Sequence, residues 1–355
     1  MQIAAHDNGE ILGFPGPERV YGYQGMQYHR ELLRDRQRMD AYRQAIAESL
    51  APGDVVVDVG ARIGILSLLA CQAGAGHVYL IERNRSMVVV AKALAAENGY
   101  SHRITFFDEE MENVELPQPA DLMVSDWLNP WFGVGSDIFG LVLEARDRFL
   151  KPGGALVPMA AELFLAPVET PYLTQEITFW ETALPGLNTH FGRELAANNC
   201  YIARIDPRGL LAEEKRIGRW DFAVARDDTF QVQADFALEQ SGHLHGLCAW
   251  FDARMSPGVS VSTCPRLKST TWFQSYLPLD PPALVAAGDK LQVVLQISRR
   301  QMPGSKTAAG TIVKWEGRLN AGGKEQRYNH STLKGYPAFG RLLSARTRAA
   351  EGMAA

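Results

Sequence analysis

The residues best placed to do chemistry lie in one short run. The segment VVVDVGARIG reads as a strand turning into a helix, with Gly60 and Gly64 at the turn. Glycine there lets backbone approach a ligand closely, at the carboxyl end of a sheet where open α/β folds bind their ligands. Glu82 follows Gly60 by 22 residues and ends the next apolar run, HVYLIE. A carboxylate in that place can accept hydrogen bonds from both hydroxyls of a ribose. Spacing and polarity together fit a cofactor that contains adenosine. Other reactive side chains are dispersed. Cys71, Cys200, Cys248 and Cys264 form no CxxC pair, so neither a disulfide framework nor a cysteine zinc site is indicated. His243 and His245 could share one face of a strand, but no third metal ligand is evident.

The surrounding pattern supplies the elements that must position this turn. From His29 to Leu50 the residues Leu32, Leu33, Met39, Tyr42, Ile46 and Leu50 recur at helical spacing, which predicts one amphipathic helix stopped by Pro52 and Gly53. Then VVVDVG, ILSLLACQAGA, HVYLIE, SMVVVAKALAAENGY, ITFF and DLMVSDW alternate β-branched runs with helical segments. That is the pattern of a parallel sheet covered on both faces, a doubly wound, Rossmann-like α/β domain over residues 51–158. A helix from about Ile138 to Leu150 ends at Lys151-Pro-Gly-Gly154, and a strand through Leu156 and Val157 closes this half. After Glu162 the period becomes two. In TFQVQADFAL and KLQVVLQIS apolar residues alternate with mostly polar ones, and no helix separates such strands. An antiparallel β-barrel or sandwich over residues 159–319 is expected, interrupted at about 181–206 by a looser stretch that reads as an inserted arm. Residues 320–355 show no convincing core period and read as a peripheral or mobile extension.

Composition narrows the class. A chain of 355 residues should form two domains, and 46% hydrophobic with 21% charged residues is ordinary globular composition. Thirty-six Lys and Arg against 40 Asp and Glu leave a formal charge of -4, which argues against a nucleic-acid backbone as main partner. The amino terminus shows no basic region followed by an apolar one, and no apolar run approaches the ~20 residues of a membrane span. A soluble, cytoplasmic protein is expected.

VVDVGARIGILSLLACQAGA followed by VYLIERN resembles the first motifs of class I S-adenosylmethionine-dependent methyltransferases, and of the protein arginine methyltransferases in particular. The likeness extends to HRELLRDRQRMDAYR, ITFFDEEMENVELPQPADLMVSDW and VLEARDRFLKPGG, and in the second half to HGLCAWFDARM and STTWFQSYLPL. It covers roughly Tyr21 to Leu319 and implies a homodimer through the arm. It also implies that Arg38 binds the methionyl carboxylate of the cofactor, that Glu82 holds the ribose and that Met111 and Glu112 lie against the adenine. With Asp58, Gly60, Arg62 and Gly64 these are the candidate cofactor-facing residues. Asp126 is the candidate for orienting the acceptor nitrogen, supported by Tyr23, Thr271 and Trp272.

Three features depart from the family pattern. The middle glycine of its G-x-G-x-G signature is Arg62, which brings a cation to where a sulfonium should sit. Two like charges ~4 Å apart at an effective dielectric of ~20 repel by about 4 kcal/mol. Arg62 can escape by turning to solvent or by pairing with the cofactor carboxylate. The family's paired glutamates become Asp126 and Gly135, with Asp137 two residues beyond, and the histidine of its Thr-His-Trp loop becomes Thr271 between Thr270 and Trp272. Asn129-Pro130-Trp131-Phe132 resembles the Asn-Pro-Pro-Tyr type motif of other amino methyltransferases, but sits three residues late and reads better as a turn. The expected activity is methyl transfer to an arginine-like or other nitrogen acceptor. The alternatives are an inactive dimeric scaffold or ligand sensor of the same fold and, more distantly, a Rossmann dehydrogenase.

Overall fold

The computed structural model describes residues 25–128, 138–226, 229–301 and 309–335. Two helices, α1 (Met26–Arg34) and α2 (Arg36–Ser49), stand where one was expected. The chain breaks at Asp35, with ψ 84°, and the Asp35 carboxylate caps α2 by accepting from the Arg38 backbone N–H at 3.1 Å. Apolar periodicity runs through this break without registering it, because the capping residue lies among charged neighbours.

Five runs form a parallel sheet: β1 (Val55–Val59), β2 (His77–Ile81), β3 (Ile104–Phe107), β4 (Ala120–Val124) and β5 (Leu150–Val157), in the order β3-β2-β1-β4-β5. All five residues of β1 are buried, as a central strand with helices on both faces requires. Its register pairs Asp58 with Leu80 on one side and with Val124 on the other. The carboxyl ends of β1, β2 and β4 therefore bring Gly60, Glu82 and Asp126 to one rim. Helices α3 (Ile65–Ala73), α4 (Arg85–Glu97) and α5 (Ile138–Phe149) complete the crossovers.

The chain then becomes antiparallel. One sheet has the order β7-β12-β10-β6-β8, from β6 (Ala160–Val168), β7 (Tyr201–Ala203), β8 (Lys215–Asp221), β10 (Gly242–Ser256) and β12 (Gln274–Val285), with β11 (Val259–Ser262) paired to β10. The other runs β15-β14-β13-β9, from β9 (Phe230–Ala237), β13 (Lys290–Gln301), β14 (Ala309–Ala321) and β15 (Lys324–Ser331). Buried Leu291, Val293, Leu295 and Ile297 confirm the period-two reading of KLQVVLQIS. Helices α6 (Pro171–Thr178) and α7 (His190–Ala197) lie between β6 and β7, around the expected arm.

The peripheral extension is corrected for its first part. Lys324–Ser331 pairs along β14, and Tyr328 and His330 are buried. The strand KEQRYNHS carries only a tyrosine and a histidine at these inward positions, so its alternation does not show in hydropathy. Residues 336–355 lie outside the described residues.

Candidate active site

The turn after β1 is built on positive φ angles. Gly60 has φ +70° and Gly64 φ +76°, which glycine adopts without the clash a side chain would meet. A Cβ on Gly60 would meet nothing within 4 Å, so the backbone faces open space. On Gly64 a Cβ would lie 3.0 Å from the Leu80 side chain and 3.1 Å from Ala91 Cβ, so that glycine seats α3 tightly. Between them Arg62, not a glycine, holds φ 53°. Arg38, Asp58, Gly60, Arg62 and Asp126 line one cavity over this turn.

Asp126 is the ionic centre of that cavity. Its Oδ2 accepts from Arg62 at 2.5 Å and lies 2.7 Å from the Arg38 guanidinium, while the second terminal nitrogen of Arg62 donates to the Asp126 backbone carbonyl at 3.2 Å. The Tyr42 hydroxyl reaches Asp126 Oδ1 at 3.2 Å and the Ser125 carbonyl at 3.1 Å. Burial pushes the Asp126 carboxyl up, but the Arg38 and Arg62 charges and their hydrogen bonds outweigh it and hold the group below the usual carboxylate range. Aromatic faces close the guanidinium sides. Arg38 Cζ lies 5.6 Å from the Trp272 ring and 5.8 Å from that of Tyr42, and Arg62 Cζ lies 5.5 Å from the Tyr28 ring.

Two buried polar atoms on this cavity have no protein partner: Arg38 Nε and Asp58 Oδ1. Asp58 Oδ2 is satisfied by the Ser67 backbone N–H at 2.9 Å and hydroxyl at 2.7 Å. Burial raises the Asp58 carboxyl to about 7 against the Ser67 bonds, with the Glu82 and Asp126 charges adding to the rise. A buried polar group left without a partner is costly, so such pairs of orphans mark where a ligand completes the bonding. A free α-amino acid end fits both, its carboxylate to Arg38 and its ammonium to Asp58. Glu82, at the end of β2, accepts from Arg62 N–H on one oxygen and Asn84 N–H on the other, each at 2.8 Å. Its orientation is thereby fixed, and each oxygen keeps a lone-pair site for a ribose hydroxyl. The donor set fits the S-adenosylmethionine implied by the sequence resemblance.

Of the residues named from sequence, the structure gathers Arg38, Asp58, Gly60, Arg62 and Asp126 around one cavity, with Glu82 bonded to its rim and Trp272 against Arg38. Met111 is buried in a short 3-10 turn, Met111–Asn113, and the Glu112 side chain is exposed. Thr271 directs its backbone N–H and hydroxyl to Asp35 Oδ2, at 2.6 and 2.9 Å, so it acts on the break before α2. Arg62 does not turn to solvent. It is only 24% exposed, and its partner is Asp126. Tyr23, Gly135, Asp137 and the run Asn129 to Phe132 lie outside the described residues.

Three contributors carry little signal in the sequence. Tyr42 fits the helical pattern as an apolar position, but it follows Arg38 by four residues and so shares its helix face. Asp35 sits three before Arg38, which is N-cap spacing. Arg148, from α5, donates to the carbonyls of Met111, Glu112 and Val114 at 3.0, 3.2 and 2.8 Å and so holds the turn beside the rim; nothing local in the sequence signals it.

Comparison with known proteins bears on the same two halves. Residues 57–157 match a family model described as a methyltransferase domain, and residues 159–307 match the arginine methyltransferase oligomerization subdomain. The chain is 31% identical over 272 residues to protein arginine N-methyltransferase 1 of Oryza sativa subsp. indica, covering 74% of this chain and 70% of that protein. Among solved structures, the Trypanosoma brucei PRMT1 enzyme-prozyme heterotetrameric complex with AdoHcy aligns with TM-score 0.76 at 21% identity, over 87% of this chain and 99% of that one. A crystal structure of PRMT6-SAH aligns with TM-score 0.62 at 25% identity, over 78% and 96%.

Proposed function

The chain belongs to the protein arginine methyltransferase family, and on that premise we propose that it transfers a methyl group from S-adenosylmethionine to a guanidinium-type nitrogen presented to Asp126. It is a class I methyltransferase whose Rossmann-like half takes the cofactor. The observation that carries the site assignment is the pair of orphaned polar atoms, the guanidinium nitrogen Arg38 Nε and the carboxyl oxygen Asp58 Oδ1, on the cavity at the carboxyl end of β1.

When bound, the cofactor supplies a methyl group on a sulfonium, an electrophile that needs alignment more than activation. The protein's task is therefore positioning in a water-poor pocket. Arg38 and Asp58 hold the amino-acid end and Glu82 holds the ribose. Asp126, kept ionised by its arginines, accepts hydrogen bonds from the acceptor and turns a terminal nitrogen toward the methyl group. A carboxyl held below its usual range is a poor base, so Asp126 orients the acceptor and the proton displaced from the methylated nitrogen leaves to solvent. Trp272 and Tyr42 set their rings against the Arg38 guanidinium and so help to hold it in place.

The same reading extends to assembly as a homodimer through the arm. Supporting it, Phe179, Leu184 and Leu187 are 57%, 57% and 64% exposed on the stretch between α6 and α7, and that stretch falls within the match to an oligomerization subdomain. Among the described residues no helix is long and apolar enough to cross a membrane. The reading places the chain in the cytoplasm, whose reducing conditions suit the buried thiols of Cys71 and Cys248.

Calorimetric titration with S-adenosylhomocysteine tests the cofactor half, and transfer of labelled methyl to arginine-containing against lysine-containing peptides tests the acceptor half. Binding together with arginine-dependent label is expected. No detectable heat at millimolar ligand would overturn the assignment.

A further inference from the structure

We propose that Arg62 is a built-in stand-in for the acceptor guanidinium, occupying Asp126 in the resting protein so that an incoming acceptor must displace it. The inference rests on the reading of Asp126 as the acceptor's carboxylate, and four observations support it.

The contact has the form an external guanidinium would make. Arg62 places two terminal nitrogens on Asp126, one on Oδ2 at 2.5 Å and one on the backbone carbonyl at 3.2 Å. This is a fork of charge-assisted bonds, the geometry that distinguishes a guanidinium from an ammonium. Asp126 is also nearly saturated. A carboxylate offers about four lone-pair sites. Arg38 and Arg62 use those of Oδ2, and Tyr42 uses one on Oδ1. A second fork has no room until a present donor leaves.

Arg62 is the donor able to leave. Arg38 is 3% exposed and donates also to the Leu32 carbonyl at 3.0 Å, whereas Arg62 is 24% exposed. Finally, the backbone at Arg62 does not require this side chain. Its φ of 53° suits glycine better than any L residue, and its bond to Glu82 comes from the backbone N–H, which glycine would keep. An arginine retained at such a φ is explained by what its side chain does at Asp126. A tethered guanidinium competes at high effective concentration, so acceptors with further anchoring contacts would be selected over free arginine.

The test is a titration of the cofactor-free full chain with arginine amide, comparing the parent with Arg62→Gly. Hydrogen bonds to charged groups are worth roughly 1.5–3 kcal/mol, so removing the competitor should tighten arginine-amide binding by about tenfold or more. Adding Asp126→Asn to Arg62→Gly should abolish the gain. Equal or weaker binding by the glycine variant, or no binding by either protein, overturns the proposal, as does a gain that survives Asp126→Asn. Circular dichroism checks folding, and if the glycine variant fails to fold, Arg62→Gln decides the matter with the same expected direction. A parallel titration with S-adenosylhomocysteine keeps the two readings apart. Its failure in both proteins refutes the proposed function, while the arginine-amide comparison still decides the role of Arg62.

Discussion

Asp58 should make cofactor affinity depend on pH, and the dependence can be worked from its surroundings. Burial holds its carboxyl at about 7 in the cofactor-free protein, well above the 3.8 of an exposed aspartate. The folded value is raised, so the stability this group contributes is present below pH ~4 and is lost as pH rises through ~7, on the order of 4 kcal/mol across the window. Ligand binding should run the opposite way, because an ammonium beside Oδ1 favours the ionised carboxylate. Below pH 7 each unit then costs about tenfold in affinity, and the curve levels near pH 8. The assay is calorimetric titration with S-adenosylhomocysteine from pH 5.5 to 8.5, with urea unfolding of the cofactor-free protein over the same range. Asp58→Asn can keep the Ser67 bonds through its carbonyl oxygen, but it points an amide N–H₂ at the ammonium. That variant should bind more weakly and without the slope. A flat parent profile between pH 6 and 8, or the same slope in Asp58→Asn, would refute the placement of the ammonium on Asp58.

Two further outcomes follow from the geometry. Asp35→Ala removes the cap on α2 and both Thr271 bonds, so it should lower stability by about 2–4 kcal/mol in urea and weaken S-adenosylhomocysteine binding through a displaced Arg38; a loss below ~0.5 kcal/mol would show that the break at Asp35 is held by other contacts. Deleting residues 183–200 should convert a dimer to monomer on sedimentation, and a retained dimer would remove the arm from the interface.

What could be read from sequence follows from what is local. The turn after β1 announces itself because positive φ demands glycine at Gly60 and Gly64, and the parallel strands because burial on both faces leaves unbroken β-branched runs. The break at Asp35 stayed hidden because a cap needs one oxygen at one position, which a hydropathy window averages away. β15 stayed hidden because its inward residues, Tyr328 and His330, are amphipathic. Most consequential was the partner of Arg62. Sequence placed a cation in the pocket, but which carboxylate it meets depends on β1 and β4 being neighbours, with Asp126 two residues past the end of β4.

That pairing changes the electrostatic argument. The repulsion expected between Arg62 and a sulfonium treats Arg62 as a bare charge, whereas Arg38 and Arg62 are matched by Asp126 and Glu82, and the four formal charges cancel. Titration of Asp58 near pH 7 then changes the charge of the pocket by one unit. S-adenosylmethionine carries one more positive charge than its demethylated product, at the sulfonium. An ionised Asp58 should therefore favour substrate over product, and protonation should erase that preference. With the ammonium on Asp58, the same carboxylate should also bias the site toward releasing product, which the turn's glycines, being uncharged, cannot do.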